Sequence, residues 1–141
     1  MESVGFETDI DPPLAEGLVS ATRTSLGDTL RSVVYFTPGG FDVLYTRTDL
    51  YDSSADERQA KELLVEFERT GFAEVPVRSM IAGMGEGSDI GRYDFTVRFH
   101  EHGFVVRVIQ GNAGVLFTAD SMDVSAFAEA ASAVRSLLAE A

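Results

Sequence analysis

Both histidines of the chain fall in one tripeptide, His100-Glu101-His102. Two histidines one residue apart on a strand face can open a metal site when two further ligands converge on them. Here they occupy a hairpin tip, with Glu101 directed to the opposite face and Asp94 far along the same strand. The tripeptide therefore reads as a solvated polar turn. The same placement argues against a histidine dyad, which needs a cleft. Gly83-Met84-Gly85-Glu86-Gly87-Ser88 has the glycine density of a phosphate loop, but a strand rather than a helix follows it, the loop lysine is missing and Glu86 would repel phosphate. Asp49, Asp52 and Asp56 lack the spacing and terminal glutamate of a calcium loop and read as acids complementing a helix N-terminus. With no cysteine, thiolate chemistry is excluded as well. The sequence names no catalytic, cofactor-binding or metal-ligating residue, and the expectation is a protein that is not an enzyme and carries no cofactor.

The charge balance narrows the partners. There are 23 acidic residues against 11 basic ones, a net charge of −12, and Lys61 is the only lysine. Phosphate neutralisation needs a basic face, so nucleic-acid binding is disfavoured. Carboxylate excess with arginine in place of lysine is the composition of proteins from salt-accumulating cells, where cations screen a self-repelling surface. No run approaches the roughly 20 apolar residues of a membrane span. The acidic start, MESVGFETDIDPP, has neither the basic nor the apolar region of a signal peptide. A cytoplasmic protein is expected.

The elements follow from periodicity. Residues 1–10 show no period and read as a flexible N-terminal arm, leaving 11–141 as a single domain. Asp11-Pro12-Pro13 starts a helix whose stripe is Leu14, Leu18, Ala21 and Ser25, with Gly27 as its end. Ser32–Thr37 and Phe41–Thr48 form a hairpin around Pro38-Gly39-Gly40. Ser54 and Glu57 have capping-box spacing and open a second helix, with Ala60, Leu63, Leu64 and Phe67 as its apolar stripe and Gly71 at its end. Val75-Pro76-Val77 reads as a short edge strand. Ser79–Gly91 fits no regular period and is either a binding loop or a further helix. Tyr93, Phe95, Val97 and Phe99 alternate with polar residues as a half-buried strand. Phe104–Ile109 and Val115–Ala119 return across two short turns as an antiparallel meander. Ser121 or Asp123 caps a final helix with Val124, Phe127, Ala131, Val134 and Leu138 on its inner stripe.

The order is α-ββ-α-βββ-α, an α+β domain with a five-stranded antiparallel sheet flanked by helices. This order resembles the roadblock/LC7 domains and the wider profilin-like architecture over Leu14–Leu138, and it is also compatible with a PAS-like sensor. The acidic chain further resembles small proteins of salt-loving archaea. The roadblock resemblance implies a non-enzymatic interaction module, dimeric through its second helix and third strand, with a small GTPase as a possible partner. Carried onto this sequence, the homodimer face would use Leu64, Phe67, Tyr93, Phe95 and Val97. Met80, Ile81 and Met84 would be the adaptable contacts of a partner or ligand loop. The PAS resemblance implies instead a small ligand held between the sheet and residues 79–91.

Overall fold

The computed structural model describes residues 6–50, 54–84 and 90–141. The chain runs α1 (Pro12–Leu26), β1 (Leu30–Thr37), β2 (Gly40–Thr46), α2 (Ser54–Arg69), α3 (Val75–Gly83), β3 (Thr96–His100), β4 (Gly103–Gln110), β5 (Ala113–Ala119) and α4 (Val124–Glu140). All five strands join one antiparallel sheet in the order β2-β1-β5-β4-β3. The two hairpins are thus welded along β1 and β5, and the α2–α3 connection carries the chain from one sheet edge to the other.

Both faces of the sheet are covered, which is why its central strands are apolar at consecutive positions rather than alternate ones. Val33, Val106, Val108, Val115 and Phe117 pack with Leu18, Phe127, Ala131 and Val134 of α1 and α4. On the other face Val34, Phe36, Val105 and Leu116 pack with Val65 of α2. Asp123 caps α4 by accepting from the Ala126 N–H at 3.0 Å. Gly27 ends α1 at φ 61°, a conformation that glycine adopts without strain.

Four local expectations are corrected. The arm is held from Phe6 onward: the Asp42 carboxylate accepts from the Glu7 and Thr8 backbone N–H groups at 2.6 and 2.9 Å, and Ile10 is buried in the core. The buried stripe of α1 is Ala15, Leu18, Thr22 and Leu26, one position round from the expected face, because the Thr22 hydroxyl bonds to the Leu18 carbonyl at 2.9 Å and needs no outside partner. Val75-Pro76-Val77 is no strand. It opens α3, with proline in the first turn, where no N–H is required. Arg78 holds that helix by donating to the Gly71 carbonyl at 2.6 Å and lying 4.5 Å from the Tyr93 ring centre. Finally, β3 begins at Thr96, so Tyr93 leaves the expected alternation.

Candidate functional site

The second helix is turned so that two of its charges face inward. Lys61 and Glu68 are 2% and 0% exposed, whereas Leu63 and Phe67 are 74% and 48% exposed. The expected apolar stripe therefore points the wrong way for half its members. The cause lies on the sheet. Thr96 pairs with Arg107 and Arg98 with Val105 across β3 and β4, which sets both arginines on the α2 side. The Arg98 Nε donates to Glu68 at 2.8 Å, and the Arg107 Nη1 lies 3.4 Å from the other Glu68 oxygen. Arg107 also donates to Glu74 and to the Thr96 hydroxyl, each at 2.9 Å. A buried carboxylate is tolerated only against such cations, and this requirement outweighs the exposure of two apolar side chains. Burial alone would lower the Arg107 pKa. The hydrogen bond to Tyr93 and the nearby Glu74 and Glu68 carboxylates reverse this and raise it, so the guanidinium remains charged.

The outward face of α2 meets the free edge of the sheet at β3. Arg98 lies 4.3 Å from the Phe67 ring centre, and the His100 ring stands edge-on to Phe67 at 6.4 Å. On the far side of the same edge Phe99 is 72% exposed, its ring edge-on to that of Phe104 at 5.0 Å. Leu63, Phe67 and Phe99 thus flank a strand edge that is unpaired among the described residues, an arrangement that proteins ordinarily cover.

The residues named from sequence are dispersed. Phe67 is on this face, and Leu64 is half-buried against the α2-side core. Phe95 and Val97 pack against the opposite core. Tyr93 lies under Arg78, its hydroxyl 2.7 Å from that of Thr96. Leu63 and Phe99 were missed as surface residues because hydropathy alone assigns them to the interior. The available signal was Arg107 in the otherwise apolar run of β4, a cation that requires a carboxylate opposite it such as Glu68. Met80 and Met84 belong to α3, where with Val77 they make an exposed apolar stripe, and Ile81 is half-buried. His100 and His102 are exposed at the hairpin turn with His102 3.5 Å from Glu101. Among the described residues no three metal-ligating side chains come together. Arg47 binds Asp49 at 2.7 Å and its hydrogen bond holds the Asp49 pKa down. Asp52 and residues 85–88 lie outside the described residues.

Three concavities stand out on the surface of the described residues. A groove of about 1190 Å³ runs between α1 and β2, past Val19, Arg23 and Tyr45. A cleft of about 300 Å³ lies under α2 at the β3–β4 turn, and a shallower hollow of about 850 Å³ adjoins the last turn of α4. None of the three has a described residue of the 79–91 segment in its lining, where the PAS-like reading set its ligand. No helix among the described residues is long and apolar enough to cross a membrane.

Residues 16–139 match the model of a family described as a domain of unknown function, DUF7522. Among curated proteins nothing matches the chain. Solved structures do. The gliding protein MglB from Thermus thermophilus is similar with a TM-score of 0.55 at 15% identity, covering 98% of this chain and 100% of that one. A structure of MglB in a tetrameric arrangement gives 0.53 at 14% identity, covering 97% and 98%. The likeness is one of fold: an α+β, five-stranded antiparallel sheet with helices on it, of the roadblock type.

Proposed function

The chain belongs to the DUF7522 family, and from that membership and its roadblock-like fold we propose that it is a non-enzymatic cytoplasmic regulatory module working as a homodimer joined across α2 and β3. The observation that carries this reading is the pairing of a bare sheet edge with exposed Leu63, Phe67 and Phe99 around it. A second copy related by a two-fold axis would extend the sheet through β3 and bury both copies of Phe67, the commonest form of self-association. The tetrameric arrangement of the MglB relative supports self-assembly within this fold. Val77, Met80 and Met84 of α3 offer a further apolar stripe to a partner protein, for which a small GTPase is the class implied by the roadblock resemblance.

Light scattering in about 2 M potassium chloride, where surface repulsion is screened, tests the dimer. The expected mass is twice that of the 15.3 kDa chain, falling to the single-chain mass in Phe67→Glu. A monomer at high salt, or a Phe67→Glu variant that stays dimeric, overturns the proposal.

A further inference from the structure

The sheet has a second edge, β2, and the chain covers only one end of it. There the Phe41 carbonyl turns away from β1 and accepts from Arg58 of α2 at 3.1 Å, while Arg58 also pairs with Glu7 at 3.1 Å. Outward and inward backbone groups alternate along an antiparallel strand, so the Val43 N–H and C=O point outward as well. Among the described residues no backbone group bonds to them. Beside this bare half runs the groove of about 1190 Å³, walled by Val19 of α1 and by Leu44 and Tyr45 of β2. Arg23 lines it, and among the described residues its guanidinium has no carboxylate partner, only the Tyr45 ring at 5.0 Å from the ring centre. The other arginine of the lining, Arg47, is committed to Asp49 and Asp120. Glu16 lines the groove seven residues before Arg23, about 10.5 Å back along the helix.

We infer that this groove takes an extended segment of a partner protein, added as a strand along residues 43–46 with a carboxylate against Arg23. Strand addition draws affinity from the backbone and specificity from the flanking pocket. The groove exceeds the roughly 300–1,000 Å³ of small-molecule sites and lies along a 15-residue helix, a shape that fits a chain better than a compact ligand. Charge sets the register: the carboxylate belongs at the Arg23 end, because Glu16 repels it at the other. Repulsion from the net charge of −12 is largely screened beyond about 8 Å at physiological ionic strength. The β1–β2 register slips at Val33/Val34, where Leu44 is an extra residue of β2. Such a bulge bends an edge and guards it against long, indiscriminate pairing, so the segment is short. Since β2 and β3 are opposite edges of the sheet, the inference stands whether or not the chain dimerises.

The test titrates the full chain with a capped hexapeptide of alternating valine and threonine in which one threonine is replaced by glutamate, and follows the amide NMR shifts of the protein. Saturable shifts at Val19, Val43, Leu44 and Tyr45 are the expected result. Glutamine in place of the glutamate should weaken binding about two- to fivefold, the worth of an exposed ion pair. Arg23→Gln, at an exposed position, should abolish that difference without disturbing the fold. N-methylation of alternate peptide amides separates strand addition from apolar sticking. Of the two alternate sets, the one facing β2 should weaken binding about tenfold or more by removing ladder hydrogen bonds, and the other should not. No saturable response, shifts confined to β3, equal binding by the parent and both N-methylated peptides, or a glutamate preference that survives Arg23→Gln overturns the inference.

Discussion

The Glu68 carboxylate lies 3.4 Å from the Arg107 guanidinium, with the two side chains 0% and 1% exposed. This pair fixes the rotation of α2 and ties three elements together, since Arg98 reaches Glu68 from β3 and Glu74 reaches Arg107 from the turn before α3. Replacing Glu68 with glutamine leaves Arg107 buried with Glu74 as its remaining carboxylate. Breaking one side of a buried pair costs about 3 to 5 kcal/mol, and the low end applies here because Glu74 persists. Urea unfolding at constant salt should show this loss. A change within about 0.5 kcal/mol, the ordinary range of surface substitutions, would mean that the pair does not hold α2.

Two glycines give opposite outcomes. A Cβ at Gly71 would sit 2.6 Å from Arg107 Cζ and from Ile109 Cδ1, whereas one at Gly83 would meet nothing within 4 Å. Gly71→Ala should therefore destabilise by about 1 to 3 kcal/mol through overpacking. Gly83→Ala, in the last turn of α3, should be neutral or stabilise by up to about 1 kcal/mol. Denaturant midpoints of both variants check the contrast, and a tolerated Gly71→Ala would show that Arg107 has room to move.

Acid sensitivity should trace in part to Asp120. Its hydrogen bond from Arg47, then that from Arg31, holds its pKa below the ordinary carboxylate value. A carboxyl depressed on folding contributes stability above its unfolded pKa of about 3.9, and that contribution vanishes as the pH falls through the lower folded value. Thermal melts of Asp120→Asn should lie below the wild type at about pH 7 and approach it near pH 2, below the unfolded pKa. A gap that does not change with pH would show that the ion pairs contribute nothing.

Salt should stabilise the fold. With 23 acidic against 11 basic residues, screening relieves more repulsion than it removes attraction from the surface pairs. The melting temperature should rise between about 0.1 and about 2 M potassium chloride as the Debye length shrinks. A fall would favour the pairs of Arg31 and Arg47 with Asp120 as the dominant surface term and remove the case for a salt-adapted chain.

Interface and core residues should separate. Leu63→Glu, on the exposed side of α2, should lower the solution mass and leave the urea slope of the monomer unchanged. Phe95→Ala, against the α4-side core, should lower stability while the mass at high salt stays that of the dimer. If Phe95→Ala alone abolished the dimer, the contact would lie on the segment that enters β3, as the strand alternation first suggested.

The sequence alone determined what depends on near neighbours. The β3–β5 meander, the Gly27 stop and the Asp123 cap were all legible because turn chemistry and a period of two act over a few residues. So was the roadblock-type order of elements, which the lengths and kinds of those segments already constrain. Tertiary structure decided the rest. Hydropathy placed Leu63 and Phe67 on one stripe with Ala60 and Leu64, yet Glu68 had to meet Arg98 and Arg107, and one helix cannot bury both faces against the same sheet. The segment at Val75 became a helix because the Gly71 carbonyl and the Tyr93 ring hold Arg78. The cleft at the β3–β4 turn likewise exists only in the fold, since Arg31, Lys61 and His100 come from three distant stretches. A charge reads as surface in any local window, and only the opposite charges that packing brings beside it make its burial favourable.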